Sequence, residues 1–307
     1  MDTVQNTADW IAVDWGTSNL RVWMMGSDGL PFAQDSSDKG MAGLACDAFE
    51  PALLELIAPY LASDRVTQVV CAGMVGAREG WLEAPYVATP CAPPSGQAAV
   101  SPHSTDPRLS VHILPGVKQM SPPDVMRGEE TQIAGLLRSQ PEFDGILCLP
   151  GTHTKWVHIS AGEIVSFQTC MTGEMFALLS GRSVLCRSVT NAGWDQDSFL
   201  TAVTNAMDRP QAFAAQLFGI RAAGLLLDTP VNAGRSRLSG LLIGLELAGV
   251  RSYWLGRHVA ILGADAVATH YRTALAEQGI QAEMLEITNL TLAGLTTAYN
   301  LQKGVST

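Results

Sequence analysis

Residues 10–19 read WIAVDWGTSN, and residues 20–25, LRVWMM, follow them directly. The apolar runs WIAV and LRVWMM lie on either side of a short polar turn that contains a glycine. Two strand-like runs joined by such a turn predict a β-hairpin. A second turn at residues 27–29 predicts a third short strand near Phe32. The first domain is therefore expected to begin with three antiparallel strands.

The same pattern returns in the middle of the chain. Residues 146–149 form a strand-like run, residues 150–155 (PGTHTK) form a polar turn, and residues 156–159 form a second run. When residues 16–22 are aligned with residues 151–157, a glycine, a threonine and a valine match. A turn that repeats in the same strand context predicts an internal duplication.

The rest of the chain alternates strand-like runs with apolar residues at helical spacing. This order predicts an α/β fold with mixed sheets in two domains, residues 1–139 and residues 140–307. The length of 307 residues also favours about two domains. The segments predicted to be helical are 47–62, 126–139, 211–227, 239–250, 266–278 and 290–299.

The composition excludes several classes of protein. The chain is 47% hydrophobic and 16% charged, which excludes disorder as its main state. Its net charge of −10 argues against binding to nucleic acid or to anionic membranes. No apolar run approaches the roughly 18 residues that span a bilayer, and residues 1–10 do not resemble a signal peptide. Six cysteines without a CxxC pair predict reduced thiols, and hence a cytoplasmic protein.

The two polar turns have the chemistry of phosphate binding. In the first, Gly16 permits close backbone approach, and the hydroxyl groups of Thr17 and Ser18 can donate to phosphate oxygens. Asp14, at the end of a buried strand, can hold a hydrated Mg²⁺ that bridges the phosphates. The second turn offers similar donors, with Lys155 added. Each turn alone also fits an ordinary polar turn, but together they predict a clamp on the phosphates of a nucleotide.

The chain contains no Walker A, GxGxxG, HExxH or GxSxG motif, so nucleotide binding depends on these turns. Residues 14–19 resemble the first phosphate motif of the sugar kinase, heat-shock 70 and actin superfamily. Residues 150–156 lie where its second phosphate motif belongs, and residues 263–265 resemble its adenosine motif. The segments DWGTSNLR, AGMVGAREGWLEAPYV, MRGEETQ, LPGTHTKWV, MTGE and SGLLIGLELA, in that order, resemble the 2-dehydro-3-deoxygalactonokinase family over about residues 10–299.

This resemblance implies transfer of the γ-phosphate of ATP to the 6-hydroxyl of 2-dehydro-3-deoxy-D-galactonate, a step of galactonate breakdown. It implies two ribonuclease-H-like lobes of the actin-like ATPase kind, with a central nucleotide and substrate cleft whose closure excludes water. ATP and Mg²⁺ are the expected cofactors, a small sugar acid is the expected partner, and a homo-oligomer is left open. The residues assigned to the nucleotide are Gly16, Thr17, Ser18, Asn19, Gly151, Thr152, His153, Thr154, Lys155, Gly244, Gly263 and Ala264.

The second phosphate motif of the superfamily usually begins with an acidic residue, and here Leu149 and Pro150 stand in that place. The second acidic group is therefore sought at Glu129 and Glu130, which follow Gly128 at a predicted helix start. This segment resembles the Gly-x-Glu-Glu segment of exopolyphosphatases, and on that alignment Glu130 is the better match for an acceptor of the sugar hydroxyl proton. The alternative is that both glutamates only favour the start of the helix.

A sugar acid calls for a cationic pocket, and Arg78 and Arg127 are the candidates for its carboxylate. For each arginine the alternative is a surface ion pair. Glu174 is a candidate for the sugar hydroxyls, or it only caps the following helix. His153 belongs to the phosphate turn or serves as a hydrogen-bonded structural residue.

Two other functions share these turns. A phosphohydrolase of the exopolyphosphatase type would use water as the acceptor, but a polyphosphate channel needs clustered cations, and the chain has only 19 Lys and Arg without runs. A non-catalytic, actin-like nucleotide-binding module is the other alternative. The preference for the galacto over the gluco substrate rests on the family resemblance alone.

Overall fold

A computed structural model of the chain describes residues 7–94, 96–189, 193–227, 229–263 and 266–304. The β-strands in this part of the chain are β1 (Trp10–Trp15), β2 (Leu20–Met25), β3 (Pro31–Ser37), β4 (Thr67–Gly73), β5 (Tyr86–Ala88), β6 (Leu109–Ile113), β7 (Gly116–Met120), β8 (Pro123–Met126), β9 (Gly145–Leu149), β10 (Thr154–Ser160), β11 (Glu163–Cys170), β12 (Val259–Leu262) and β13 (Glu283–Leu285). The α-helices are α1 (Phe49–Ile57), α2 (Glu129–Ser139), α3 (Thr172–Arg182), α4 (Gln196–Asp208), α5 (Phe213–Leu226), α6 (Val231–Gly249), α7 (Arg251–Trp254), α8 (Ala266–Glu277) and α9 (Ile287–Gln302).

Two sheets repeat one topology. The first has the strand order β3-β2-β1-β4-β6, and the second has the order β11-β10-β9-β12-β13. In the first sheet, β1 and β2 form an antiparallel hairpin, and β4 runs parallel to β1. In the second sheet, β9 and β10 form the antiparallel hairpin, and β12 runs parallel to β9. This order is that of a ribonuclease-H-like sheet, so the predicted α/β fold with two related lobes is confirmed. A smaller sheet, β5-β7-β8, is inserted in the first half of the chain.

The contacts divide the chain into two compact units. The first unit contains residues 1–143, 161–165 and 287–307, and the second contains residues 144–160 and 166–286. This division differs from the single boundary predicted after residue 139, because the C-terminal helix α9 packs in the first unit. There the Tyr299 ring stacks on Trp10 of β1, with ring centroids 4.2 Å apart.

The core of the first unit follows from the alternation along its hairpin. Ile11, Val13 and Trp15 are fully buried on one face of the sheet, where α1 covers them with Phe49 and Leu53. Side chains on the opposite face, including Trp10 and Trp23, meet α9. A strand buried on both faces explains why residues 10–13 read as a continuous apolar run.

In the second unit, helix α6 packs closely against α4. Glycines let it approach α4 closely: a Cβ atom on Gly240 would lie 2.3 Å from the carbonyl oxygen of Phe199, and one on Gly244 would lie 2.5 Å from that of Val203. The helix starts at Val231, eight residues before the predicted start. The extra turns carry polar residues and a glycine, so the apolar periodicity that marks a helix is weak there.

The predicted reduced thiols agree with the structure, in which all six cysteines are free. None of the helices in the described ranges is long and apolar enough to cross a membrane.

Candidate active site

One group of candidate residues lies at the end of β1, in the first unit. Asp14 faces Arg21 of β2 in the hairpin register, and the two side chains form an ion pair. The Asp14 side chain is 17% exposed, so its carboxylate is accessible from solvent. In the turn that follows, Gly16 N donates to Asn19 O at 2.9 Å. The side chains of Thr17, Ser18 and Asn19 are exposed, as phosphate donors need to be.

A neighbouring segment fixes the shape of this turn. The carbonyl oxygens of Gly16 and Thr17 accept hydrogen bonds from the backbone N–H groups of Met41 and Ala42, each at 3.0 Å. Gly40 makes this approach feasible, since a Cβ atom there would lie 2.3 Å from the Ser18 backbone. The carbonyl groups of the turn therefore hold it against the neighbouring segment, while its exposed hydroxyl groups remain accessible to a ligand.

Two glycines bring the start of α2 to Asp14. Gly73, at φ +94°, ends β4, and a Cβ atom on it would lie 2.6 Å from Trp15 O and 3.6 Å from Asp14 Oδ1. A Cβ atom on Gly128, at φ +110°, would lie 3.4 Å from the Cα atom of Gly73. Both backbones adopt the left-handed region that favours glycine. The structure thus places the two predicted acidic groups, Asp14 and the Glu129–Glu130 pair, in one region of the first unit.

The two glutamates have different surroundings. Both carboxylate oxygens of Glu130 accept from Gly128 N, at 2.8 and 2.7 Å, and the residue is only 2% exposed. Burial, with the neighbouring Glu129 charge, raises the pKa of Glu130 to about 7. Glu129 is half-buried, and its Oε2 accepts from Arg127 N at 3.1 Å. Glu130 is therefore the glutamate whose pKa suits proton transfer near neutral pH.

Arg127 is 9% exposed, and its guanidinium carbon lies over the ring of Tyr86, 4.2 Å from the ring centroid. Its Nη2 donates to Ala84 O at 2.8 Å, and its Nε donates to the Tyr86 hydroxyl at 3.3 Å. Both acceptors are uncharged, and Nη1 is buried without a hydrogen-bond partner among the described residues. A buried guanidinium nitrogen without an acceptor favours a ligand that supplies one, such as a carboxylate.

The structure places Arg78 differently. Its side chain is 82% exposed, and its Nε lies 3.8 Å from Glu83 Oε1. This is the surface ion pair that the sequence left as the alternative. Contacts of this kind contribute little to stability.

A separate group of candidate residues lies in the second unit, at the turn between β9 and β10. This turn contacts the start of α3: Glu174 N donates to Thr152 O at 2.9 Å, and a Cβ atom on Gly173 would lie 2.2 Å from Gly151 O. Glu174 Oε2 lies 2.6 Å from His153 Nε2. Glu174, a candidate for the sugar hydroxyls, is therefore engaged with the phosphate turn of its own unit.

Thr154 and Lys155 are buried, unlike the exposed residues 151–153. Strand β10 begins at Thr154, so these two side chains belong to the strand. The Thr154 hydroxyl lies 3.0 Å from the Tyr271 hydroxyl, and Lys155 Nζ donates to His153 O at 3.3 Å. Only the first part of the predicted turn presents groups to a ligand.

A cavity of about 290 Å³ opens beside this turn, with Gly151 and Thr152 in its wall. Trp194 and His270 also line it and stack on one another, with centroids 3.7 Å apart and planes 6° apart. The Arg235 guanidinium lies over the Phe176 ring at 5.6 Å, and both residues face the cavity. Aromatic faces and a cation beside a phosphate-type turn suit a nucleotide.

The sequence assigned Gly244, Gly263 and Ala264 to the adenosine end of the nucleotide. Gly244 packs α6 against α4 and is not in the cavity wall. Gly263 has φ +142°, and its N–H donates to Leu285 O at 2.8 Å, which joins the end of β12 to β13. Ala264 lies outside the described residues. The first residues of α8, Ala266 and Val267, do line the cavity.

Beneath the cavity, Glu246 of α6 is a buried carboxylate among hydrogen-bond donors. It accepts from Trp156 Nε1 at 2.7 Å, from the Tyr271 hydroxyl at 2.9 Å and from the Thr172 hydroxyl. Burial raises the pKa of Glu246 to about 7, although these hydrogen bonds oppose the rise. The residue belongs to the segment SGLLIGLELA, but its spacing alone does not indicate this network.

The two buried carboxyls predict how stability depends on pH. Each has an ordinary pKa of 4.5 that folding raises to about 7, so the folded state binds the proton more tightly. Their stabilising contribution is complete below pH 4.5 and is lost as the pH rises through 7, at up to about 1.4 kcal/mol per pH unit for each group. We expect the urea midpoint to fall between pH 5 and pH 8, and to fall less in Glu130→Gln. An identical pH dependence in wild type and variant would contradict the assignment.

The sequence analysis missed several residues of the candidate site. Arg21 could have been placed opposite Asp14 from the hairpin register. Gly73 and Gly128 are individually unremarkable glycines, and only the fold brings their backbones together. Trp194 and His270 are 76 residues apart, and no local pattern connects them.

Comparisons with known proteins agree on one family. The family model described as 2-keto-3-deoxy-galactonokinase matches residues 14–298. The chain is 37% identical over 295 residues to a candidate 2-dehydro-3-deoxygalactonokinase of Rhizobium meliloti (strain 1021), covering 94% of this chain and 95% of the relative. It is 34% identical over 284 residues to the 2-dehydro-3-deoxygalactonokinase of Escherichia coli (strain K12), covering 92% of each.

Solved structures agree with this similarity. The crystal structure of a candidate 2-dehydro-3-deoxygalactonokinase from Sinorhizobium meliloti has a TM-score of 0.87 and 35% identity, covering 95% of this chain and 99% of that chain. The activator of 2-hydroxyisocaproyl-CoA dehydratase from Clostridium difficile, with bound ADPNP, has a TM-score of 0.51 and 14% identity, covering 97% and 98%. The second likeness concerns the fold alone.

Proposed function

The chain belongs to the 2-keto-3-deoxy-galactonokinase family and is a sugar-acid kinase, and on that premise we propose that it transfers the γ-phosphate of ATP to the 6-hydroxyl of 2-dehydro-3-deoxy-D-galactonate. The observation that carries the proposal is the gathering, within the first unit, of Asp14, Glu130 and the buried Arg127. These residues supply the three groups that the reaction needs: a carboxylate for the metal–phosphate charge, a proton acceptor and a cation for the sugar-acid carboxylate.

The donor set at Asp14 fits Mg²⁺. The carboxylate is accessible, oxygen-based and next to the turn of hydroxyl groups, and Mg²⁺ is commonly held by one or two carboxylates together with substrate phosphates. No cluster of three or more acidic, histidine or cysteine side chains suited to a metal occurs in the part of the chain that the structure describes. Asp14 is therefore the protein ligand that we assign to Mg²⁺, which when bound neutralises phosphate charge.

Phosphate donors are assigned to the turn of each unit separately, as the superfamily resemblance implies. In the second unit, the exposed residues Gly151 and Thr152 border the cavity, and we assign that cavity to the nucleoside. His153 and Glu174 form a hydrogen-bonded pair that orients this turn. In the first unit, the exposed Thr17 and Ser18 are assigned as donors to the phosphates.

Glu130 is assigned as the group that accepts the proton of the 6-hydroxyl. Its raised pKa makes it a competent acceptor near neutral pH, and the hydrogen bonds from Gly128 N hold its carboxylate in place. Arg127 is assigned to the substrate carboxylate, because its Nη1 has no hydrogen-bond partner among the described residues and its guanidinium packs over the Tyr86 ring. Arg78 is not needed in this account.

The arginine assignment has a direct test with a matched control. Arg127→Lys keeps the charge but loses the planar, two-pronged donor, so we expect the KM for the sugar acid to rise at least about tenfold. The KM for ATP should stay within twofold. Arg78→Lys makes the same change on the surface and should alter neither constant. A raised sugar KM in the Arg78 variant alone would reverse the assignment.

ADP release with ATP and Mg²⁺ tests the reaction and the choice of substrate. Three acceptors are compared: 2-dehydro-3-deoxy-D-galactonate, its gluconate epimer and no sugar. We expect ADP release to require a sugar acid and to be fastest with the galacto form. Faster turnover of the gluco form would contradict the substrate assignment, and equal release without sugar would favour the phosphohydrolase.

The remaining parts of the proposal concern the binding partner of the enzyme and its cellular compartment. Its partner is a small sugar acid, and neither nucleic acid nor membrane has a role in the reaction. We place it in the cytoplasm, which the six free cysteines support, since reduced thiols persist in a reducing compartment.

A further inference from the structure

Among the described residues of the second unit, Glu246 is the buried carboxylate that the proposed reaction does not use. It lies in the last turn of α6 and accepts hydrogen bonds from three other elements. These are β10 through Trp156, α8 through Tyr271 and α3 through Thr172. All three partners donate, so an ionised carboxylate satisfies them without leaving an unpaired proton.

Two of these hydrogen-bond donors, Tyr271 and Thr172, connect Glu246 to the phosphate turn. Tyr271 donates its proton to Glu246, so its oxygen is left to accept from the Thr154 hydroxyl, 3.0 Å away, at the end of the turn. Thr172 is the first residue of α3, and the next two residues contact the turn through Gly151 and Thr152. The turn is therefore held at both its beginning and its end by elements that meet at Glu246.

The direction of these bonds explains why Thr154 differs from the expectation for it. The sequence favours its hydroxyl as a phosphate donor, but here that proton points to Tyr271. Thr154 then anchors the turn, and the exposed residues 151–153 remain as the ligand-facing part.

Burying an ionised carboxylate in a protein core carries a large desolvation cost. Apolar residues of similar volume often stabilise a core as well or better than a buried charge does. A network that fixes several elements in one arrangement gives such a group a use, because a phosphate site depends on exact placement of its donors to within fractions of an ångström.

We propose that Glu246 is a positioning residue that sets the conformation of the phosphate turn at residues 150–154 through Tyr271–Thr154 and Thr172. This inference rests on the proposed function in one respect, the assignment of that turn to the phosphates of ATP. Glu246 touches neither substrate. It acts on nucleotide binding and has no part in recognising the sugar acid.

The test uses variants that keep the side-chain volume. Tyr271→Phe and Thr154→Val each break the hydroxyl link, and we expect each to raise the KM for ATP about tenfold. The sugar KM should stay within twofold and kcat within threefold. The double variant should raise the KM for ATP no further than either single change, because both remove the same link. Glu246→Gln should raise it less than tenfold, since its amide oxygen can still accept from Trp156.

Tyr253→Phe is the matched control. Its hydroxyl donates to Ser166 Oγ at 3.4 Å, within the same unit but outside this network. It should leave the KM for ATP unchanged. Melting temperatures of all variants separate loss of the fold from loss of positioning.

The outcomes separate the inference from the proposed function. A wild type without sugar-dependent ADP release contradicts the function. A normal wild type whose Tyr271 and Thr154 variants keep the KM for ATP, with only a lower melting temperature, overturns the inference and makes the network purely structural. Additive effects in the double variant also overturn it, because the two hydroxyls would then act separately.

Discussion

Asp14→Asn is expected to lower kcat about a thousandfold or more. The carboxylate is the protein ligand assigned to Mg²⁺, and asparagine keeps its shape but removes the charge. Loss of metal-centred stabilisation of the transition state is worth several kcal/mol, and about 4 kcal/mol corresponds to a thousandfold in rate. The measurement is the rate of sugar-dependent ADP release at saturating ATP, sugar acid and Mg²⁺.

Asp9→Asn is the control for this prediction. Asp9 immediately precedes β1 and forms an ion pair with Arg65 at 2.9 Å, so the same change removes a similar pair in the same unit. This pair is partly exposed, and its loss should change stability by less than about 1 kcal/mol and leave kcat unchanged. Equal losses of activity in both variants would point to a general effect of removing charge.

Glu130→Gln is expected to lower kcat by about 10²- to 10⁴-fold, the usual range for loss of a general base. The side-chain oxygen of the glutamine can still accept from Gly128 N, so the backbone conformation at the start of α2 should persist. The KM values should change little, because the group acts on the proton in the transition state. The rate is measured from pH 6 to pH 9, to show whether the wild-type dependence on a group with a pKa near 7 disappears.

Glu129→Gln is the adjacent control. Consecutive positions on a helix point about 100° apart, so only one of the two glutamates is suitably directed at a substrate. Glu129 bonds to Arg127 N, and its change should reduce kcat less than about fivefold. A large loss in the Glu129 variant with an active Glu130 variant would exchange the two roles.

The two hairpins could be predicted because their signals are local. In residues 10–25, an apolar run, a glycine turn and a second run occur within a few residues, and the structure has β1 and β2 there. The repeat at residues 146–159 follows the same rule. The shared strand order of the two sheets then confirmed the duplication.

The places where the structure differs depend on distant contacts. The burial of Thr154 depends on Tyr271, more than a hundred residues later. The packing of α9 in the first unit depends on the stack of Tyr299 on Trp10, from opposite ends of the chain. A single sequence shows that such side chains exist but does not show which of them meet.

For the candidate site, the sequence indicated which residues to consider more reliably than it indicated what each of them does. Asp14 and Glu130 were found from their turn and helix start, and both now lie in one region of the first unit. Arg78 and Arg127 looked alike in the sequence, and only burial separates them. Gly244 looked like a nucleotide contact because glycines on a helix permit close approach, and the approaching group proved to be α4.

The most direct test of the central claim identifies the product. The enzyme is incubated with ATP, Mg²⁺ and 2-dehydro-3-deoxy-D-galactonate, and the mixture is followed by ³¹P NMR and mass spectrometry. We predict a phosphate monoester coupled to the protons at C6 of the sugar acid, formed in equal amount to ADP. Free inorganic phosphate in that amount, or a phosphate on another hydroxyl, would contradict the account.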